Sequence, residues 1–361
     1  MRNIRPAEIK PLTGANVWHG KDMVRSPRWQ RRLTPAQLAE IDAALEAARA
    51  RGLGWEGMTA EDFPLPGLAA LLDDIREELE NGSGLLMLRG LDPARYTLDE
   101  LRIVYAALCR QLGTLVFSNR GGEIMREIRD VGRDVGKRYG ELSDDQGGAF
   151  LSSYSRTLSN QGLRYHTDRC DVVALLCVRQ AMKGGVSKLC SSPAVHNAML
   201  ARRPELCTAL YEDVWRSRFG EEDEGDSLGY PLPVWGQRDG KFPSHYSRTF
   251  VEAGQRRPEA PRVSDAQWEA LDLLSDLADE LSFEMIFTPG DIQFVNNHVI
   301  YHARTAFEDD ADAGHDRLLL RLWLAMPNSR ALPEGHEVLW RSIEAGALRG
   351  GIGQTASAPL R

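Results

Sequence analysis

His166-Thr167-Asp168, within GLRYHTDRCDVV, puts an imidazole and a carboxylate two residues apart. On an extended segment, side chains with that spacing project to the same side. Far downstream comes His302, followed by Arg317 and Arg321. A distant histidine folded back onto the first pair completes two imidazoles and one carboxylate on one face of a metal. That donor set suits non-haem Fe(II), because it leaves other coordination positions open for a co-substrate and dioxygen. HxD alone is a weak signal. The weight lies in the ordered set of HTD, GGVS, PGDIQFVNNHVIYH and HDRLLLR.

NNHVIYHA reads as an extended segment, with His298 and His302 on one face about 13 Å apart at roughly 3.3 Å per residue, too far to share an ion. His302 is the better ligand because it lies nearer the strand end and the polar loop at 304–316. His298 reads as a supporting or packing residue, and its replacing His302 stays open. Arg317 and Arg321 alternate with leucines in RLLLR, so four-residue spacing puts both on one strand face. Leu319 and Trp323 make that face apolar as well, which predicts a central strand covered on both sides. Two guanidinium groups in such a strand need anionic partners, since burying an unpaired charge is expensive. A dicarboxylate co-substrate supplies one, and the planar fork suits a carboxylate.

The elements that must position these residues change in character along the chain. Residues 33–52 read as a helix with Thr34 as N-cap, Pro35 at the first position and Gln37 closing a capping box. Residues 66–79 form a second amphipathic helix, stopped by Asn81-Gly82. LLMLRGL looks like a buried strand, and Thr97 caps a third helix ending at Gly113. From about residue 116, short strands appear among Gly, Ser and Asp clusters: GEIMREIRDV, DVVALLCVR and SKLCSS. Helices return at 194–203 and after Ser264, another capping box; SFEMIFTPG, DIQFVNNHVIYHA and RLLLRLWLAM make the finish strand-rich. The chain is therefore α+β, built around a sandwich or barrel. Residues 120–164 and 217–262 read as long loops over a site; the second carries Tyr230, Trp235, Phe242 and Tyr246 among prolines and glycines.

Composition narrows the setting. The 361 residues are 42% hydrophobic and 27% charged, an ordinary soluble globular balance. A formal net charge of −8 without a Lys/Arg-rich run argues against nucleic acid or an anionic membrane as partner. No apolar stretch approaches the roughly 20 residues of a membrane helix, and the N-terminus lacks the core of a signal peptide. Five cysteines without a CxxC pair fit reduced thiols, so the expected location is cytoplasmic. No heptad pattern is legible, and a homo-oligomer stays open.

Taken together, LLMLRGL, YHTD, GGVSKLCSS, PGDIQFVNNHVIYHARTAF and DRLLLRLWL resemble the taurine dioxygenase (TauD/TfdA) superfamily of Fe(II)/2-oxoglutarate oxygenases, with some clavaminate-synthase-like texture. The match covers about two-thirds of the chain and leaves out the first 80 residues and 217–262. It implies one oxygenase domain over 1–361: a helical part at 1–115, a double-stranded β-helix (jelly roll) core at about 116–330, and a lid or insert at 217–262. It makes His166, Asp168 and His302 the iron ligands and Arg317 the grip on the distal carboxylate of 2-oxoglutarate. Ser187 stands where the family often has a threonine touching that carboxylate. Arg321 falls where taurine dioxygenase holds the substrate sulfonate; in relatives that residue helps the co-substrate instead. The family's taurine-binding asparagine would fall at Gly162, with Asn160 nearest, which argues against taurine itself. A carboxylate at Asp168 excludes the halogenase variant. Arg156, Arg169 and Arg248 are further candidates for an anionic substrate.

The resemblance implies that Fe(II), 2-oxoglutarate and O2 oxidise, most simply hydroxylate, a C–H bond of a small anionic molecule, releasing succinate and CO2. Desaturation or epoxidation would use the same iron site. A non-catalytic jelly-roll sensor of metal or organic acid leaves a complete co-substrate clamp without purpose, and a zinc hydrolase leaves the arginine pair unused.

Overall fold

The computed structural model describes residues 9–132, 156–218 and 225–353. In chain order the strands begin with β1 (Gln30–Arg32), β2 (Leu85–Arg89), β3 (Thr114–Val116), β4 (Arg126–Ile128) and β5 (Leu163–His166). Next come β6 (Val172–Arg179), β7 (Lys183–Gly184), β8 (Ser187–Ser191), β9 (Val214–Ser217) and β10 (Gly229–Leu232). The last are β11 (Phe283–Met285), β12 (Ile292–Asn296), β13 (Ile300–Arg304), β14 (Phe307–Glu308) and β15 (Leu318–Ala325). The helices are α1 (Gly20–Arg25), α2 (Pro35–Ala50), α3 (Ala69–Glu80) and α4 (Leu98–Leu112), then α5 (Ser192–Arg202), α6 (Pro204–Ala209), α7 (Arg248–Gln255) and α8 (Asp265–Leu281).

Side-chain alternation explains the layers. Along β15, Leu320, Leu322 and Leu324 pack outward with Leu176 of β6, Phe294 of β12 and helices α2, α3 and α4. The other parity, Leu319, Trp323 and Ala325, packs inward with Val173, Val295, Leu189 and Ile300. Both parities are apolar because each face of the sheet is covered, one by helices and one by a second sheet. β15 is buried along its whole length and lies between β6 and β3/β4, the central position expected for it. The larger sheet runs β1-β2-β12-β6-β15-β3, with β4 also paired to β15; the smaller runs β11-β8-β13-β5. On the far side of the smaller sheet, Tyr165, Cys190, Tyr301 and Ala303 pack with α5, α6 and α8. Two facing sheets with helices outside make the α+β, double-stranded β-helix (jelly roll) architecture.

The capping boxes at Thr34, Thr97 and Ser264 all form. Three readings change. Pro66–Leu68 is a 3-10 turn leading into α3, not part of its α-helix. Only Arg126–Ile128 of GEIMREIRDV is strand. The stretch 217–262 is not a plain loop: it carries β10, paired to β9, and α7. Its Trp235, Phe242 and Tyr246 are core residues behind the smaller sheet, with the Trp235 indole N–H donating to the Tyr301 hydroxyl at 2.9 Å. Residues 133–155 of the other long loop lie outside the described residues.

Candidate metal centre

β5 and β13 are antiparallel neighbours, and their register sets His166 directly opposite His302. Residues more than a third of the chain apart thus become cross-strand partners, with ring centres 4.2 Å apart. Both point between the sheets, because the adjacent Tyr165, Tyr301 and Ala303 pack behind the smaller sheet. Asp168 follows the end of β5. Its backbone N–H donates to Asn297 Oδ1 at 2.9 Å, and Asn297 Nδ2 donates to the Cys170 carbonyl at 3.1 Å. Asn297 lies in the turn joining β12 to β13, so one turn both fixes Asp168 and launches the strand bearing His302.

That turn corrects the extended reading of NNHVIYHA. Asn296 Oδ1 accepts the His298 N–H at 2.9 Å, bending the chain between two strands of different sheets. His298 Nε2 instead meets Asp171 Oδ1 at 2.8 Å, where Arg349 Nε also donates at 2.8 Å.

The ligand atoms of His166, Asp168 and His302 lie within 4.8 Å of one another. Their closest approaches, 3.7 Å from His166 Nε2 to Asp168 Oδ1 and 3.8 Å from His302 Nε2 to Oδ2, exceed hydrogen-bond length. His166 Nδ1 contacts the Arg164 carbonyl at 2.9 Å, so Nδ1 carries the proton and the Nε2 lone pair faces inward. Burial lowers the pKa of His166 and, with repulsion from His166, pushes that of His302 down to about 3. Burial alone would raise Asp168, but Arg321, at 3.9 Å, and the Trp323 indole N–H, at 3.1 Å, hold it below the usual carboxylate range. Neutral imidazoles beside an ionised carboxylate are the protonation state that a divalent cation requires, so the residues fit one.

Two cavities meet here, sharing Thr157, His166, Asp168 and Arg321. One, between the sheets, is lined by Ser187, Gln293, Arg304 and Arg317. Arg317 immediately precedes β15; its Nη1, with Nε and Nη2 of Arg321, is buried without a hydrogen-bond partner among the described residues. The other cavity is lined by Arg169, Arg218, Tyr230, His245 and Phe250, and Asp168 is the only acid among the described residues lining it. Asn160 is exposed, and neither it, Arg156 nor Arg248 lines either cavity. Arg156 Nη1 reaches the Gly162 carbonyl at 3.4 Å, and Arg248 is held by Glu252 and Asp272 over the Trp268 ring. Sequence reasoning placed Trp323 on the arginine face only as an apolar residue, not as a partner of Asp168, and missed Thr157 and Asn297. An Asn-Asn pair, a turn signal, would have found the last.

A jelly roll carrying two imidazoles and a carboxylate beside a cationic pocket is the architecture of non-haem Fe(II) oxygenases. The chain belongs to the Taurine catabolism dioxygenase TauD, TfdA family, whose model matches residues 49–323. The match starts ahead of residue 85 and includes 217–262, both outside the expected extent. FR-33289 synthase of Streptomyces rubellomurinus is 32% identical over 331 residues, 90% of this chain and 93% of that protein. Clavaminate synthase 2 of Streptomyces clavuligerus is 28% identical over 290 residues, 74% of this chain and 82% of the relative. In fold, the chain is similar to an asparagine oxygenase solved with Fe(II), 2S,3S-3-hydroxyasparagine and succinate: TM-score 0.61, 16% identity, 82% of this chain and 93% of that one. The non-heme iron oxygenase OrfP with Fe and alpha-ketoglutaric acid gives a TM-score of 0.57 at 18% identity, with the same coverage. This protein is an Fe(II)/2-oxoglutarate-dependent dioxygenase acting on a small molecule.

Proposed function

We propose that His166, Asp168 and His302 hold the Fe(II), that Arg317 and Ser187 receive 2-oxoglutarate, and that the enzyme hydroxylates a small anionic molecule in the cavity beside Arg169. Arg321 stands between the two cavities and serves both. Bound there, Fe(II) with 2-oxoglutarate and O2 supplies an oxidation that converts the co-substrate to succinate and CO2 while a substrate C–H bond is oxidised. The chain's own part is electrostatic and geometric. Arg321 and Trp323 keep Asp168 ionised and oriented; the Arg164 carbonyl keeps the His166 lone pair pointing inward. The buried Nη1 of Arg317, without a partner among the described residues, carries the co-substrate assignment, because a desolvated guanidinium lining a cavity requires an anion. Among the described residues lining the second cavity, Arg169, Arg218 and Arg321 outnumber the one acid, Asp168, and although Asp226 lies 3.6 Å from Arg218 this balance supports an anionic substrate.

Among the described residues no helix is long and apolar enough to cross a membrane. All five cysteines are buried free thiols, which supports the cytoplasmic setting. Anaerobic titration of Fe(II)-loaded protein with 2-oxoglutarate tests the core of the reading. A visible metal-to-ligand charge-transfer band is the expected result. Its absence in protein that demonstrably binds iron would overturn the co-substrate assignment.

A further inference from the structure

We propose that Arg304 is the positioning residue of the dicarboxylate pocket: it gathers the carbonyls of turn 156–161 and, through the Phe307 ring it shares with Arg317, orients the guanidinium that grips the co-substrate. The inference rests on the reading of that cavity as the 2-oxoglutarate site.

Arg304 ends β13, two residues after His302, and so shares its inward face. It is buried and lines the cavity with Arg317 and Arg321. Its chemistry differs from theirs. All three arginines keep a buried N–H without an acceptor among the described residues, Nε in the case of Arg304, but Arg304 Nη2 also donates to three backbone carbonyls: Arg156 at 3.2 Å, Ser159 at 2.8 Å and Gln161 at 2.5 Å. All three belong to the one turn that leads into β5. A cation centred on converging carbonyls is the solution found at helix C-termini, where backbone acceptors would otherwise lie unsatisfied. The same turn carries Thr157, which walls both cavities and accepts from Arg126 Nε at 3.2 Å. The clamp therefore holds a shared wall of the site.

The second half of the device is Phe307. Its N–H donates to the Asn160 carbonyl of the clamped turn at 3.0 Å. The guanidinium carbons of Arg304 and Arg317 lie 4.9 and 5.1 Å from the centre of its ring. Arg317 is confined elsewhere by Gly185, whose φ is +67°; a Cβ there would come within 3.0 Å of Arg317 Nε. Asp309 Oδ1 fixes the Arg317 backbone N–H at 3.1 Å. Arg317 is thus aimed by a ring and a glycine instead of by a carboxylate, which leaves its buried Nη1 for the co-substrate. Moving Arg304 moves the ring.

Calorimetric titration of 2-oxoglutarate into Mn(II)-loaded protein tests this without turnover, alongside the Mn(II) affinity and melting temperature of each variant. Arg304→Met should raise the 2-oxoglutarate Kd about tenfold or more, with Mn(II) affinity unchanged within experimental error. Arg304→Lys keeps the charge but loses the flat fork that lies on Phe307, and it should remain weakened. Phe307→Leu keeps the clamp's cation, should weaken 2-oxoglutarate in the same direction, and decides the matter if Arg304→Met fails to fold. Wild-type affinity in Arg304→Lys would reduce the residue to a diffuse charge and overturn the proposal. So would unchanged 2-oxoglutarate binding in Phe307→Leu. If the wild type itself binds Mn(II) but no 2-oxoglutarate, the co-substrate reading fails first, a distinct result.

Discussion

Replacing Asn297 by alanine removes the two side-chain bonds that tie Asp168 and Cys170 to the β12–β13 turn. The Asp168 N–H and the Cys170 carbonyl, each buried, lose a partner at 2.9 and 3.1 Å. An orphaned buried group costs about 1–3 kcal/mol, so the pair together costs about 2–6 kcal/mol. The same change frees the carboxylate from its backbone anchor, and losing a residue that orients a ligand lowers metal affinity by about 10–100-fold. Urea unfolding of the metal-free protein reads the first quantity; calorimetric titration with Mn(II) reads the second. Expected together are a lower unfolding midpoint with an unchanged slope and a weaker Mn(II) isotherm. Lost stability with undiminished Mn(II) affinity would refute the claim that the turn presents Asp168. Unchanged stability would refute the bookkeeping of the two bonds.

His302→Ala should abolish iron binding and activity, whereas His298→Ala should bind iron nearly as the wild type while melting lower, because it leaves Asp171 short of a partner; iron content and melting curves decide, and the reverse pattern would reassign the ligand. Arg317→Ala should raise the 2-oxoglutarate KM far more than the substrate KM, and an unaltered co-substrate dependence would shift the clamp to Arg321. Buried His196, hydrogen-bonded to Tyr211, has its pKa lowered to about 4 by burial, against an opposing contribution from Asn197. A folded value below the unfolded ~6.5 means the unfolded chain binds the extra proton, so stability is full above that pH and declines as pH falls. The loss from this residue reaches about 3 kcal/mol by pH 4, at 1.36 kcal/mol per pKa unit. His196→Gln should flatten the stability–pH slope by about one proton; parallel slopes would contradict the assignment.

Much of the site was legible because strand parity is local. RLLLRLW announces a strand apolar on both faces with arginines on one, and that is how β15 sits. HTD with a distant histidine anticipated the cluster, since the chemistry restricts which residues can meet. What could not be read is register: nothing near His166 tells that its cross-strand partner is His302. The turn at Asn297 was hidden because period-two alternation runs through NNHVIYHA whether or not the chain bends. Arg248 and Asn160 were chosen for nearness to motifs along the chain, whereas tertiary packing turned the one toward Glu252 and Asp272 and left the other at the surface. The aromatics of 217–262 looked like a binding surface, yet an amphipathic helix, α8, needed most of them as core.

β5 is the outermost strand of the smaller sheet, four residues long, and its ladder with β13 shifts register between His302 and Arg304. Beyond it, among the described residues, the backbone adds a single bridge, His166 to Ser247. Such an edge is prone to fray, because few ladder bonds hold it. An ion shared by His166 and His302 would rivet the loose strand to its neighbour at that weak point. Loading the protein would then also be an ordering event, expected to slow amide exchange at 163–166 and to tighten this end of the jelly roll before any substrate arrives.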